Sequence, residues 1–141
     1  MSSGDALNID LTEIRNYLAE AKVTFAVLFG SHARDTESES SDIDVALRFS
    51  DEMDDYERFH LRNRISAELQ QHADAFVDVS DLDSLPLPVA HAALRDGVYL
   101  VGDERTVEAY RERVKAEYEA TAEKRKREHE EFIDRLARGD V

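Results

Sequence analysis

Residues 25–44, FAVLFGSHARDTESESSDID, carry the pattern that decides the fold of this chain. The first five residues of this stretch are apolar and β-prone, which predicts a short buried strand. Gly30 follows directly and permits a sharp turn, so Ser31 is expected at the start of a short helix. Such helix starts bind phosphate through their outward-facing N–H groups and the positive end of the helix dipole. The stretch therefore predicts a strand over about residues 23–29, followed by a phosphate-binding turn.

A second strand is predicted over about residues 42–49, after the polar loop, and it carries two acidic residues on one side. Strict alternation places Asp42 and Asp44 on one face and the aliphatic residues of the strand on the other. The two carboxylates would stand about 6.6 Å apart along the strand and could converge on a hard cation. A phosphate-binding turn beside paired carboxylates indicates metal-dependent phosphoryl or nucleotidyl transfer.

Helices are predicted on either side of these two strands. Asp10 and Glu13 are expected to open a helix before the first strand. A second helix is predicted over about residues 52–72, where Leu61, Ile65 and Leu69 recur at four-residue spacing.

The combined motif resembles the signature of the polymerase-β-type nucleotidyltransferases, which is a strand, Gly-Ser, a loop, and Asp-x-Asp on the next strand. In particular it is similar to the minimal nucleotidyltransferases, the antitoxin partners of HEPN-domain RNases. The positions that match this subfamily's longer motif are Gly30, Ser31, Arg34, Ser41, Asp42 and Asp44. Residues 77–79 and 94–100 also match in order and character, so the resemblance covers residues 10–102.

This resemblance implies an α/β (α+β) fold with a polymerase-β-like core. A small mixed sheet would be flanked by helices and followed by a long C-terminal helix. Residues 1–102 would form the minimal nucleotidyltransferase domain. Residues 103–141 would be a helical extension of that domain and a candidate for partner binding.

A third strand is predicted over about residues 75–80. The resemblance implies a third acidic residue on this strand, where Asp78 is the matching position. In the family this residue helps to hold the catalytic metal and can take the proton from the attacking hydroxyl. Alternation places Asp78 on the face opposite to its two valine neighbours. Asp74, Asp81 and Asp83 lie nearby in the sequence and are rivals for this role.

The resemblance also assigns roles around the nucleotide. Gly30 and Ser31 would hold the β- and γ-phosphates of ATP, which is the expected substrate. Two magnesium ions are expected, and the residues predicted to be both catalytic and metal-binding are Asp42, Asp44 and Asp78.

Two further nucleotide-binding candidates each have a simpler alternative. Arg34 would share a helix face with the phosphate turn, but it could instead pair with Asp42 or Glu37. Ser41 could bond a phosphate or merely stabilise a turn. Asp35 departs from the glycine that the subfamily often has after the arginine, and its charge would weaken nucleotide binding unless it points away.

Composition limits the classes of function. The chain has 141 residues, the size of one domain, with 32 acidic and 18 basic residues and a formal net charge of −14. So negative a surface disfavours direct binding of nucleic acid, and either a salt-loving source or an ordinary acidic protein would explain it. There is no cysteine and no long apolar run, so neither disulfides nor membrane insertion is expected, and a cytoplasmic location is predicted.

The C-terminal region raises the question of a partner. Val107, Tyr110 and Val114 form a stripe suited to packing on the domain. The helix then becomes polar on all sides around the basic residues 124–127, and an apolar patch at Phe132, Ile133 and Leu136 follows. That patch could dock back onto the domain, bind a partner or form a homodimer contact.

The function that the resemblance implies is that of an antitoxin. It would neutralise a HEPN-domain RNase toxin, in a hetero-oligomer, by transferring AMP from ATP to a toxin tyrosine hydroxyl. One alternative is an antitoxin that acts by steric binding of its toxin. Another is a small-molecule nucleotidyltransferase of the aminoglycoside type, although such enzymes usually carry a further substrate-binding domain.

Overall fold

The computed structural model describes residues 10–30 and 42–139, which alternate between helices and strands. The helices are α1 (Leu11–Glu20), α2 (Asp55–Gln70), α3 (Leu87–Asp96), α4 (Glu104–Ala120) and α5 (Ala122–Arg138), and a 3₁₀ turn spans Leu82–Ser84. The strands are β1 (Val23–Phe29), β2 (Ile43–Phe49), β3 (Val77–Asp81) and β4 (Val98–Gly102). This order of elements confirms the predicted mixed α/β class.

The four strands form one mixed sheet in the order β3-β2-β1-β4. Strand β1 runs antiparallel to both of its neighbours, β2 and β4. Strands β2 and β3 are parallel, as their connection through α2 requires, because parallel neighbours need a long crossover. The strand that ends at Gly30, the Asp-x-Asp strand and the strand that carries Asp78 are therefore direct neighbours.

Each face of the sheet packs against a different pair of helices. Alternate residues of β2, such as Ile43 and Val45, join a buried cluster with Ile14 of α1 and Ile65 of α2. The opposite face, which includes Ala46, packs against α3 and α4 in a second cluster. Asp42 and Asp44 alternate with Ile43 and Val45, so the two acidic side chains are on the α3/α4 face, as the sequence pattern predicts.

Helix α1 begins where the sequence predicts, because Asp10 accepts a hydrogen bond from Glu13 N at 3.2 Å. The prediction of α2 over residues 52–72 was too long, since this helix spans Asp55–Gln70. A capping box sets its start: Glu57 N donates to Asp54 at 2.8 Å, and Asp54 N donates to Glu57 at 3.3 Å.

Two predicted strands also needed correction at their ends. The second strand, predicted over residues 42–49, begins at Ile43, so Asp42 stands immediately before it. The third strand, predicted over residues 75–80, spans Val77–Asp81. Gln70 accounts for its later start, because its side-chain amide donates to Ala75 O at 2.8 Å and accepts from Val77 N at 2.9 Å.

The C-terminal helices differ in their burial. Helix α4 packs on the domain through the predicted stripe, while every residue of α5 that is large and apolar is exposed. Phe132, Ile133 and Leu136 are 44%, 48% and 47% exposed, so this patch does not dock back onto the described part of the domain. Across the described ranges, none of the helices has the length and apolar character that a bilayer-spanning segment needs.

Candidate functional site

Gly30 lies in direct contact with the Asp-x-Asp strand. Its φ of 79° is in the left-handed region, and a Cβ built there would stand 2.5 Å from Asp44 Oδ2. The contact arises because Phe29, the last residue of β1, is the register partner of Asp44 on β2. A side chain at position 30 would therefore displace the carboxylate, so both backbone conformation and space require glycine here.

The two acidic strands are aligned by their parallel pairing. Asp44 is the register partner of Asp78, and neighbouring strands are about 4.8 Å apart. Asp42 is held just before β2, where the next residue, Ile43, donates its N–H to Phe76 O at 2.8 Å. Asp42 and Asp78 are exposed, whereas Asp44 is partly buried behind the turn at Gly30. The fold thus brings the three predicted carboxylates to one end of the α3/α4 face.

These carboxylates lie side by side rather than around one point. Within residues 10–30 and 42–139, no three acidic, histidine or cysteine side chains converge as a ready-made metal cage. Magnesium rarely needs such a cage, because it binds one or two carboxylates and completes its shell with water and substrate phosphates. The all-oxygen donor set of Asp42 and Asp44, next to a turn that only glycine fits, suits that mode of binding.

The remaining predicted nucleotide-binding residues cannot be placed. Ser31, Arg34 and Ser41 lie outside the described residues, as does the short helix predicted after Gly30. Their roles stay predictions from the sequence.

The rivals of Asp78 have other positions. Asp81 Oδ2 is 3.6 Å from Arg58 Nη1, and Asp83 pairs with Arg48 at 2.7 Å. Asp74 lies in the turn before β3 and has no strand partner. Asp78 is the one of these four acidic residues that is in register with Asp44.

Two cavities flank the carboxylates on opposite sides. The first, which we call the β1-side pocket, has a volume of about 360 Å³ between the end of β1 and α3. Phe29, Gly30, Val89 and Ala92 line it, and Asp96 is the acidic residue of its wall. This pocket is mainly apolar and opens next to the turn at Gly30.

The second cavity, the β3-side groove, follows the outer edge of β3 and has a volume of about 570 Å³. Asp78 and Ser80 of β3 line one side, and Phe59 and Arg62 of α2 line the other. The carboxylate cluster therefore lies between an apolar pocket beside Gly30 and a polar groove that contains Asp78.

An ion-pair network at the opposite end of β2 was not predicted from the sequence. Arg48 is only 7% exposed and donates to Asp83 and Asp51, each at 2.7 Å. Tyr110 of α4 donates its hydroxyl to Asp83 at 2.5 Å, and its ring lies 5.0 Å from the Arg48 guanidinium. Burial, and then the hydrogen bond to Asp83, raise the pKa of Tyr110 above its ordinary value. The network ties α4 to β2 and to the turn after β3.

A sequence signal for this network existed. Arg48 continues the alternation of Asp42 and Asp44, so it had to share their face, and a lone cation on a buried strand requires an acidic partner. The identity of that partner depends on tertiary structure, because Asp83 and Tyr110 come from distant parts of the chain.

Comparison with known proteins agrees with this geometry. Residues 12–106 match the family model described as polymerase beta, nucleotidyltransferase. A curated relative, protein adenylyltransferase MntA of Shewanella oneidensis, is 29% identical over 89 residues, which are 63% of this chain and 61% of the relative. The match thus spans about three fifths of that relative's length.

Solved structures with the same fold come from toxin–antitoxin complexes. A crystal structure of a toxin–antitoxin with AMP-PNP has a TM-score of 0.71 and 24% identity, covering 89% of this chain and 99% of that chain. A second, of a tri-AMPylated Shewanella oneidensis HEPN toxin with its MNT antitoxin, has a TM-score of 0.64 and 21% identity, covering 88% and 99%. At these identities the likeness establishes the fold. With the family model matching most of its length, the chain belongs to the polymerase beta nucleotidyltransferase family.

Proposed function

We propose that this chain is an antitoxin that transfers AMP from ATP to a tyrosine hydroxyl of a HEPN-domain RNase partner. The observation that carries the proposal is the alignment of three strands: Gly30 contacts Asp44, and Asp44 is in register with Asp78. A curated relative is named protein adenylyltransferase MntA. One of the solved complexes with the same fold contains a Shewanella oneidensis HEPN toxin that is tri-AMPylated. We therefore expect AMP to be added more than once here too.

The donor nucleotide is proposed to bind on the β1 side of the site. The turn at Gly30 brings the backbone directly against Asp44, and Ser31 together with the N–H groups that follow it would donate to the phosphate oxygens. Asp42 and Asp44 would hold two magnesium ions. When bound, these ions would neutralise the negative charge of the phosphates. Without such cations, a chain with a net charge of −14 would repel a triphosphate.

The acceptor hydroxyl is proposed to approach from the β3 side. Its oxygen would form a bond to the α-phosphorus of ATP, and the bond from that phosphorus to the bridging oxygen of the β-phosphate would break. Pyrophosphate would leave with that oxygen, and Asp78 would accept the proton of the hydroxyl. Asp78 suits this role because it is exposed beside Asp44 and lines the β3-side groove.

The experiment that tests this function measures the intact mass of the partner. The chain is co-expressed with a HEPN-domain RNase, which we expect to be encoded in a neighbouring reading frame, and the pair is then incubated with ATP and magnesium. We expect mass increases in whole AMP units with the wild type and none with the double variant Asp42→Ala/Asp44→Ala. Asp74→Ala, which removes an acidic residue just before β3, is the control and should behave as the wild type.

A steric antitoxin is the second candidate, and the exposed patch on α5 favours it. Phe132, Ile133 and Leu136 offer an apolar surface that could hold a partner without any chemistry. In the same experiment, this candidate predicts an unmodified partner that both the wild type and the double variant hold in a tight, inactive complex. Omitting magnesium would then leave inhibition unchanged, whereas it should abolish adenylylation.

A further inference from the structure

We infer that the β3-side groove binds an AMP group that has already been attached to the acceptor, and so allows the next AMP to be added to it. The inference rests on the proposed function and deepens it. The ligand class is a nucleoside monophosphate in ester linkage to the partner protein. The groove would receive its base on Phe59 and its phosphate on Arg62, with its ribose towards Asp78.

The position of the groove is the first argument. In the sheet order, β1 with Gly30 lies on one side of β2, and β3 with Asp78 lies on the other. The incoming nucleotide takes the Gly30 side, so an acceptor must come from the Asp78 side. The β3-side groove is the cavity that contains Asp78, and the outer edge of β3 has no strand partner among the described residues.

Phe59 supplies a surface on which a base can stack. Its side chain is 54% exposed although it is large and apolar. The ring is oriented by two neighbours on α2: His60 meets it edge-on with centroids 5.6 Å apart, and the Arg62 guanidinium lies 5.6 Å from its centroid. An exposed aromatic ring next to an arginine is the usual platform for an unpaired base, and it accepts any base.

Arg62 supplies the charge for the phosphate. It donates to Val79 O at 3.3 Å, and no carboxylate of the described ranges lies within ion-pair distance of it. Arg58, the other arginine of the groove, is already neutralised by Asp81 at 3.6 Å and Asp83 at 3.4 Å. Arg62 therefore retains donors that can bind a phosphodiester, which guanidinium groups bind well.

The chemistry of the second step is the same as that of the first. A ribose hydroxyl of the attached AMP forms a bond to the α-phosphorus of a new ATP, and pyrophosphate leaves with the bridging oxygen. The proton of that hydroxyl goes to Asp78. The first step needs only a tyrosine in the groove, whereas the second needs a nucleotide there, so loss of the base and phosphate contacts should slow the second step selectively.

The experiment is a time course of the partner's intact mass with ATP and magnesium. Phe59→Ala and Arg62→Ala are each compared with a control on the same helix. Tyr56→Ala removes an aromatic ring that is 73% exposed, and Arg64→Ala removes an arginine; both side chains line a different cavity. We expect both controls to add the first and the second AMP at the wild-type rates. In Phe59→Ala and Arg62→Ala, the rate of the second addition relative to that of the first should fall about tenfold or more, so that mono-AMPylated partner accumulates.

The outcomes separate this inference from the function on which it rests. A wild type that adds no AMP overturns the proposed function itself, and the inference with it. Equal slowing of the first and second additions in Phe59→Ala would mean that the groove binds the partner's polypeptide, which overturns the inference alone. An unchanged distribution of products in Phe59→Ala and Arg62→Ala would also overturn the inference alone. The same holds for a wild type that adds one AMP and then stops.

Discussion

The two ends of β2 carry charged side chains on the same face of the sheet but use them differently. At one end, Arg48 is buried and hydrogen-bonded to Asp83, which also accepts from Tyr110. At the other end, Asp42 and Asp78 are exposed, and no cation of the described residues pairs with either carboxylate. The end that contains Arg48 therefore has the composition of a structural contact, and the end that contains Asp42 and Asp78 has that of a binding site.

The difference shows how one short strand can serve both stability and chemistry. A buried charge is tolerated only when it is paired, so the ion pairs of Arg48 must already be formed in the folded chain before any ligand binds. Exposed carboxylates that stand side by side repel one another and gain most from an added cation. Substitutions at the two ends should therefore have separable effects, one on the free energy of unfolding and the other on the rate of transfer.

The largest effect is expected for Asp78→Asn. Loss of the proton acceptor should lower the rate of AMP transfer by about a hundredfold to ten-thousandfold, the usual range for a general base. Binding of ATP should change little, because Asp78 is proposed to act on the acceptor. Single-turnover transfer and calorimetric titration with a non-hydrolysable ATP analogue measure the two quantities. Equal loss in the control Asp74→Asn would contradict a specific role for Asp78.

The substitution Arg48→Leu tests the opposite end. It leaves the partly buried carboxylate of Asp83 without its closest cation, so the free energy of unfolding should fall by about 3 kcal/mol. Urea denaturation measures this loss, and transfer by the molecules that remain folded should be nearly normal. Asp51→Asn removes the exposed partner of Arg48 and should cost much less, because exposed ion pairs contribute little to stability. A comparable loss in both variants would mean that the buried pair is not what stabilises this end.

A smaller effect is expected for Gly30→Ala, for which Gly139→Ala is a matched control. Both glycines have positive φ, 79° and 73°, so both substitutions should lower the free energy of unfolding by about 1 kcal/mol. A Cβ at Gly139 meets nothing within 4 Å, whereas one at Gly30 meets Asp44 Oδ2. Only Gly30→Ala should therefore also reduce ATP binding and transfer. If the two variants were equally active, the contact with Asp44 would have no functional importance.

The smallest effect concerns pH. Burial and the hydrogen bond to Asp83 raise the pKa of Tyr110 in the folded chain above its ordinary value of 10.0. The folded state thus holds this proton more tightly than the unfolded chain, so the contribution of Tyr110 to stability is fully present below pH 10 and is lost as the pH rises above it.

The variant Tyr110→Phe should flatten this loss, which thermal unfolding at pH values on both sides of 10 would measure. A residual slope is expected in the variant, since burial raises the pKa of Tyr99 and of Tyr17 in the same direction. Identical slopes in the wild type and the variant would show that Tyr110 ionises without unfolding.

Much of the fold was predictable because its signals are local. The apolar run at residues 25–29 predicts a strand over about residues 23–29, and the structure has a strand over Val23–Phe29. Alternation placed Asp42 and Asp44 on one face, and Gly30 was expected in a conformation that other residues avoid. Period and backbone preference are properties of neighbouring residues, so they can be read from a sequence.

Features that join distant residues were beyond the sequence pattern. The start of β3 depends on the Gln70 side chain, and the partner of Arg48 depends on where the turn after β3 is placed. The β3-side groove exists because Phe59 and Arg62 of α2 come to lie beside an edge strand. The candidate carboxylates were recognised from a motif, but the register of Asp44 with Asp78 required the structure.

The position of β3 at the edge of the sheet has a consequence for how the site opens and closes. Among the described residues, this strand is hydrogen-bonded to one neighbour only, and the whole of α2 separates it from β2 along the chain. Edge elements of this kind detach in local fluctuations that cost less free energy than global unfolding. Each such fluctuation would move Asp78 away from Asp44 and so disrupt the site, while the rest of the sheet stays intact. A partner that lies along β3 would suppress these fluctuations, so catalytic competence would rise with occupancy by the acceptor.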